Sequence, residues 1–71
     1  MNMKEYEIWM DEAICQEGIY PPKKLGRYKA KSFQEACKLM LADHPEFNGY
    51  YSAEYNSVWG RKLFYMNKQY S

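Results

Sequence analysis

The stretch "SFQEACKLML", Ser32 to Leu41, decides the fold of this chain. Its first four residues form a capping box, in which the Ser32 hydroxyl accepts from the Glu35 amide and the Glu35 carboxylate reaches back to the Ser32 amide. Apolar residues then recur at helical spacing, at Phe33, Ala36, Cys37, Met40 and Leu41. The pattern predicts an amphipathic helix that Pro45 ends near Asp43, because the residue before a proline avoids helical geometry. Its apolar stripe must cover one face of a sheet.

Two alternating stretches before the helix predict strands. In "EYEIWMD", Glu5 to Asp11, the apolar side chains of Tyr6, Ile8 and Met10 share one face, and Trp9 lies on the acidic face. In "RYKAKS", Arg27 to Ser32, Tyr28 and Ala30 point inward and the basic residues point outward. The intervening stretch, residues 15 to 26, holds two glycines and two consecutive prolines, which predicts a long loop.

After the helix, Asn48-Gly49 predicts a turn, and the aromatic-rich stretch from Tyr51 to Met66 is strand-like. This stretch is either a hairpin that turns at Gly60 or one long strand with a bulge there. We favour the bulge, because Trp59 is a poor occupant of a two-residue turn. The predicted fold class is therefore α+β: a single β-β-α-β domain spanning residues 1–71, with an antiparallel three-stranded sheet and one helix packed on one face.

Composition and charge limit the function classes. The net charge is +1, which excludes a globally basic nucleic-acid-binding surface. No apolar run approaches the roughly 18 residues needed to span a bilayer, and no secretion signal is recognisable. Cys15 and Cys37 are therefore expected to be free thiols in a reducing cytoplasm.

Catalytic and metal-binding patterns are weak in this sequence. His44 follows Cys37 by seven residues, which on a helix separates them by about 10 Å, too far for thiolate activation. Two cysteines and one histidine match no zinc spacing, and no glycine-rich loop joins a strand to a helix. The sequence predicts a protein that is not an enzyme and that uses no metal or cofactor.

Protein binding has more support in the aromatic residues. Trp9 lies on the polar side of its strand, and tyrosine is abundant, at Tyr50, Tyr51, Tyr55, Tyr65 and Tyr70 among others. Tryptophan and tyrosine are enriched in the centres of protein interfaces. One sheet face has no predicted cover, unless the long loop folds over it. We expect this face to bind a protein partner or a second copy as a homodimer, and the predicted interface residues are Trp9, Tyr51, Tyr55, Trp59 and Tyr65.

The alternative function is nucleic-acid binding by the basic segment around Tyr28. Cations in this segment would contact phosphates while an aromatic ring stacks on a base. The residues concerned are Lys23, Lys24, Arg27, Tyr28, Lys29 and Lys31. The simpler interpretation is a solvated strand face whose cations pair with the acidic first strand.

Three ordered segments resemble a group of small uncharacterised proteins of bacteria and their phages. They are a YEIW-like first strand (Tyr6 to Trp9), an A-x-SF-x-EAC helix start (Ala30 to Cys37) and a W-G-x-x-LF segment (Trp59 to Phe64). The resemblance implies a shared fold and a cytoplasmic setting in a bacterium or phage. It implies no activity, although an inhibitor of a host system would suit a phage or mobile-element origin. The Pro21-Pro22-Lys23-Lys24 loop departs from the glycine-rich loop of that group.

Overall fold

A computed structural model of the chain describes residues 2–66, so Tyr70 lies outside the described residues. The strands are β1 (Lys4–Met10), β2 (Ala13–Cys15), β3 (Gly18–Tyr20), β4 (Lys23–Ala30), β5 (Tyr51–Ser52), β6 (Ser57–Val58) and β7 (Arg61–Met66). Helix α1 (Phe33–Asp43) and a short 3₁₀-helix (Pro45–Phe47) lie between β4 and β5. The α+β class predicted from the sequence is confirmed.

Within residues 2–66, five strands form an antiparallel sheet in the order β4-β1-β7-β6-β5. Strand β1 pairs with β4 on one side and with β7 on the other. The predicted three-stranded sheet is therefore wrong in its strand count. The two extra strands, β5 and β6, are only two residues long, which is too short for an alternating pattern to identify.

The core lies between α1 and one face of the sheet. Strand β1 contributes Tyr6, Ile8 and Met10, as its alternation predicts, and α1 contributes the inner part of its apolar stripe. The buried hydrophobic residues among those described are Tyr6, Ile8, Met10, Leu25, Ala30, Ala36, Cys37, Met40, Phe47, Val58 and Leu63. Burial of these side chains holds the helix on the sheet, since each large one contributes about 1.5–3 kcal/mol.

The helix begins and ends where its sequence signals predict. The Ser32 hydroxyl accepts a hydrogen bond from the Glu35 amide at 3.2 Å. The Glu35 carboxylate accepts from the Lys31 amide at 3.5 Å, one residue before the predicted donor. At the other end, His44 is the C-cap, and its Nε2–H donates to the Leu25 carbonyl oxygen at 3.0 Å. This bond ties the helix end to β4.

The predicted long loop over residues 15–26 is wrong. Strands β2 and β3 form a separate two-stranded hairpin inside this region, and β4 begins at Lys23, directly after the two prolines. We call residues 11–20 the hairpin arm. The prolines stand between β3 and β4, where they interrupt the pairing without occupying a strand. The two prolines therefore mark the junction between β3 and β4, whereas Gly18 and Gly26 lie within strands, where glycine content had predicted loop.

The predicted bulge at Gly60 is also wrong, and the alternative hairpin is present. Val58 pairs with Arg61, which leaves Trp59 and Gly60 as a two-residue turn between β6 and β7. Both have positive φ, 57° and 75°, as in a type I′ turn. Trp59 tolerates this backbone because its ring packs edge-on against Phe47, with centroids 5.0 Å apart. Tertiary packing therefore overrides turn propensity here.

A β-bulge lies in β4 beside β1, where the register shifts between Ile8 and Trp9. Gly26 at this point has φ +143°, and a Cβ added there would lie 3.0 Å from the Tyr28 ring. Leu25 lies in the bulge and is buried in the core. The bulge therefore requires glycine at position 26, because the backbone has a positive φ there and the Tyr28 ring leaves no room for a Cβ atom.

We predict that Gly26→Ala lowers the free energy of unfolding by about 3 kcal/mol, because it combines a strained backbone with a steric clash. The matched control is Gly49→Ala, where φ is +87° and no atom lies within 4 Å of the added Cβ. That change should cost only about 1 kcal/mol. Urea denaturation of both variants measures the difference, and equal losses would contradict this account of the bulge.

Candidate interaction surface

The sheet face opposite α1 is the candidate interaction surface, and we call it the outer face. The registers of β1 with β4 and β7 place nine side chains on it. They are Glu5, Glu7 and Trp9 from β1, Lys24, Arg27 and Lys29 from β4, and Lys62, Phe64 and Met66 from β7. The sequence prediction of an aromatic sheet face included only Trp9 from this set.

Trp9 and Phe64 form the apolar centre of the outer face. They are direct cross-strand neighbours, and their rings lie nearly parallel, with centroids 6.5 Å apart and planes 20° apart. Met66 extends this apolar centre along β7 and is exposed. The Trp9 indole N–H is shielded from solvent and donates to no acceptor that the described residues show. Such an unpaired buried donor costs about 1–3 kcal/mol.

Charged side chains surround this apolar centre. Glu5 lies opposite Lys29, and Glu7 lies opposite Arg27, as predicted for the acidic and basic strands. The Glu7 carboxylate also lies 2.9 Å from Lys24 Nζ, and Glu7 is 8% exposed. The pairing stabilises a carboxylate that would be costly to bury alone. Four cations against two carboxylates leave the outer face net positive.

The other predicted interface residues do not join Trp9 on the outer face. Tyr65 is on the helix side, where its ring contacts Tyr6 and Phe33 with both centroid distances at 4.8 Å. Tyr51 packs against the core, and its hydroxyl donates to Asn56 Oδ1 at 2.9 Å. Burial raises the pKa of Tyr51. These two tyrosines therefore make contacts within the molecule. The sequence pattern could not distinguish such tyrosines from those at an interface.

Trp59 and Tyr55 are exposed but lie in turns of the β5–β7 region. The Trp59 ring contacts Phe47 and Tyr50, on the side of the 3₁₀-helix. Tyr55 lines an open hollow with a volume of about 380 Å³, together with Ser57, Gly60 and Lys62. The five predicted aromatic residues are thus spread over several parts of the molecule.

Sequence reasoning missed Phe64, Met66 and Lys62 as members of the outer face. Their signal was the alternation in "RKLFYM", which puts Leu63 in the core and its neighbours on the opposite side. Because a bulge was predicted at Gly60, Trp59 rather than Phe64 was assigned to the interface. The cross-strand register supplies what alternation alone lacks, namely the pairing of Phe64 with Trp9.

The predicted nucleic-acid residues are also divided. Lys24, Arg27 and Lys29 lie on the outer face. Tyr28 lies on the helix side, where its hydroxyl donates to Asp43 Oδ2 at 2.9 Å. Burial, followed by this hydrogen bond, raises the pKa of Tyr28 to about 12. Its ring therefore lies on the opposite side of the sheet from Lys24, Arg27 and Lys29.

The remaining two predicted cations lie apart from these three. Lys23 lies opposite Met10, whose side chain is in the core, so it belongs to the helix side of the sheet. Lys31 follows β4, directly before the helix cap. The structure thus brings together three of the six residues that the sequence assigned to nucleic-acid binding.

Cys37 is buried at the interface between α1 and the sheet, and Cys15 is exposed in the hairpin arm. Burial raises the pKa of the Cys37 thiol to about 12, and a hydrogen bond with Tyr51 lowers it by less. Both cysteines are free thiols. Among residues 2–66, no group of three or more His, Cys, Asp or Glu side chains is placed to hold a metal ion.

Comparison of the chain with protein-family models, curated proteins and solved structures finds no match. Over the part of the chain that the structure describes, no helix has the length and apolar character to cross a membrane. The resemblance to small bacterial and phage proteins therefore stays a prediction.

We predict that one thiol of the native protein reacts quickly with a disulfide reagent at pH 8, and that Cys15→Ser removes this reaction. Raising the pKa of Cys37 from 9.0 to about 12 lowers its thiolate fraction by about a thousandfold. Stopped-flow absorbance measures the two rates. Two fast thiols in the native protein would contradict the burial of Cys37, and urea supplies the control in which both react.

Proposed function

We propose that this protein acts by stoichiometric binding to another protein through its outer face, without catalysing a reaction. The observation that carries the proposal is the Trp9–Phe64 pair, an apolar centre within a rim of charged residues. Protein interfaces have this anatomy, with a water-excluded aromatic centre and a polar rim. The net positive rim favours a partner with an acidic surface.

The Trp9 indole adds a polar reason for a partner. A partner's carbonyl or carboxylate oxygen can reach the shielded N–H only if the groups that cover it move aside, and that hydrogen bond would then remove the cost of an unpaired donor. A partner that covers Phe64 and Met66 also removes apolar surface from water. These two gains act at neighbouring positions, which is typical of an interface hot spot.

Two features favour a protein over a nucleic acid as the ligand. Glu5 and Glu7 lie among the cations of the outer face, where they would repel phosphates. Trp9 and Phe64 also lie against each other, which leaves less free ring surface for bases than separate rings would offer. An acidic protein surface meets the same repulsion from the two carboxylates, but it can also place apolar side chains on Trp9 and Phe64, which a phosphate backbone cannot do.

We extend the proposal to the setting that the resemblance implies. A cytoplasmic protein of a phage or mobile element acts naturally as an inhibitor of a host system, by occupying a surface of one of its components. The free thiols support the reducing compartment.

We predict that Phe64→Thr and, separately, Met66→Glu weaken partner binding by about thirtyfold, or about 2 kcal/mol, because they remove the apolar centre. Immobilised wild-type and variant proteins are compared by capture from a lysate of the encoding organism, followed by mass spectrometry. The affinity is then measured with the purified partner. Met66 is exposed, so its replacement leaves the core intact.

The matched control is Leu39→Gln, which removes an exposed apolar side chain from α1, on the other side of the molecule. It should retain the partner with unchanged affinity. Thermal unfolding of all variants shows that they are folded. A partner that is lost with Leu39→Gln and retained with both outer-face variants would place the binding surface on the helix instead.

Nucleic-acid binding is the second candidate function, favoured by the four cations of the outer face around an aromatic pair. We expect only weak binding to a single-stranded oligonucleotide, with Kd above about 100 µM at physiological salt. Fluorescence anisotropy at several salt concentrations measures it. Tight binding that weakens steeply with salt and is lost in Arg27→Glu would make nucleic acid the leading ligand.

A further inference from the structure

The hairpin arm, residues 11–20, presents apolar side chains to solvent. Ile14 and Ile19 are direct cross-strand neighbours and are 75% and 68% exposed, and Tyr20 is 48% exposed. An isolated two-stranded hairpin is at best marginally stable in water. The Arg61 side chain fixes the base of the hairpin arm. Its Nε donates to the Asp11 carbonyl oxygen at 2.8 Å, and its Nη2 donates to the Pro21 carbonyl oxygen at 3.0 Å. The exposed isoleucines remain without cover from the described residues.

The net charge of the arm is opposite in sign to the net charge of the outer face. Asp11, Glu12 and Glu17 lie in the arm, which contains no lysine or arginine. In the sequence these residues belong to the same acidic block as Glu5 and Glu7. The structure separates them, because only Glu5 and Glu7 lie opposite basic residues of β4. The arm thus combines exposed apolar residues with acidic ones, the partner chemistry that the outer face requires.

We propose that the outer face of one molecule binds the hairpin arm of a second copy, reciprocally, in a two-fold symmetric homodimer. The inference rests on the proposed function, because it uses the same outer face as the binding surface. The arm of a second copy and a foreign partner then compete for this face, so the foreign partner binds the monomer. Ile14 and Ile19 cover Trp9 and Phe64 of the other copy, and the acidic residues of the arm face its cations. The arm of each copy binds the outer face of the other, so the same two surfaces are used on both copies, as an isologous interface requires.

The dimensions of the two surfaces agree. Three residues of a β-strand extend about 10 Å, and the three adjacent strands β4, β1 and β7 span about the same distance across the sheet. The arm begins at Asp11, next to the Trp9 end of β1, and the Asp11 amide donates to the Lys62 carbonyl. Arm and apolar centre are therefore neighbours in one molecule, which lets a single two-fold axis form both contacts.

Reciprocal docking uses more of each copy's surface than a single contact between one arm and one outer face would. A standard interface buries about 800 Å² per partner, about 15% of the 5267 Å² surface of this molecule. Two arms on two outer faces use both patches of each copy at once.

A charge-swap experiment tests the pairing of arm with face. The arm variant is Glu12→Lys with Glu17→Lys, and the face variant is Lys29→Glu with Lys62→Glu. All four side chains are exposed, so both variants should fold. Analytical ultracentrifugation from about 1 µM to about 100 µM gives the dimer dissociation constant of each. We expect each variant alone to raise it by at least about tenfold, because like charges meet across the interface.

An equimolar mixture of the two variants should restore a heterodimer to within about threefold of the wild-type dissociation constant, since both contacts again join opposite charges. Ile14→Ser with Ile19→Thr should weaken the dimer at least tenfold, and Leu39→Gln should leave it unchanged. A wild-type protein that stays monomeric overturns the inference, as does a dimer that the arm variants leave intact or a mixture that does not recover.

The same variants separate this inference from the proposed function. A monomeric wild-type protein whose captured partner is lost only with outer-face variants overturns the dimer and retains the function. A dimer sensitive to arm variants but not to Phe64→Thr or Met66→Glu overturns the inference, because the arm would then bind elsewhere, and the proposed function is still decided by the capture of a partner with the outer-face variants.

Discussion

The packing of Ile8 and Met10 against the helix is the contact on which the rest of the structure depends. These two side chains are fully buried, and their strand, β1, joins β4 to β7. Since side chains alternate along a strand, fixing Ile8 and Met10 in the core fixes Glu7 and Trp9 on the outer face. The position of Trp9 beside Phe64 is therefore a consequence of core packing.

The sequence predicted the parts of the fold that have long, regular patterns. The alternation in β1 and the cap and stripe of α1 were read correctly because seven to eleven residues repeat one period. The strands of two or three residues were missed, since they are shorter than a detectable period. The Trp59-Gly60 turn was misread because packing on Phe47 stabilises a backbone that tryptophan rarely adopts.

Of the interface residues predicted from the sequence, only Trp9 lies on the outer face. Trp9 was identified because a large ring stood on the polar side of an alternating strand. Tyr65 and Tyr51 lie away from the outer face, which the sequence could not show because tyrosine occurs in both cores and interfaces and its contacts are needed to place it. Phe64 required the register between β1 and β7, which no local pattern encodes. The charge blocks were interpreted correctly for β1 and β4, whereas the acidic residues of the arm have no basic strand opposite them.

The two edges of the main sheet determine how this molecule meets other chains. One edge is β4, which carries three lysines, one arginine and a bulge, and the other is β5, which has two residues. Lysine-rich, bulged or very short edge strands resist hydrogen bonding to a strand of another chain. Continuous extension of this sheet into a fibril is therefore disfavoured at both ends. Contacts with other chains are therefore left to the faces and turns of the molecule rather than to the edges of its main sheet.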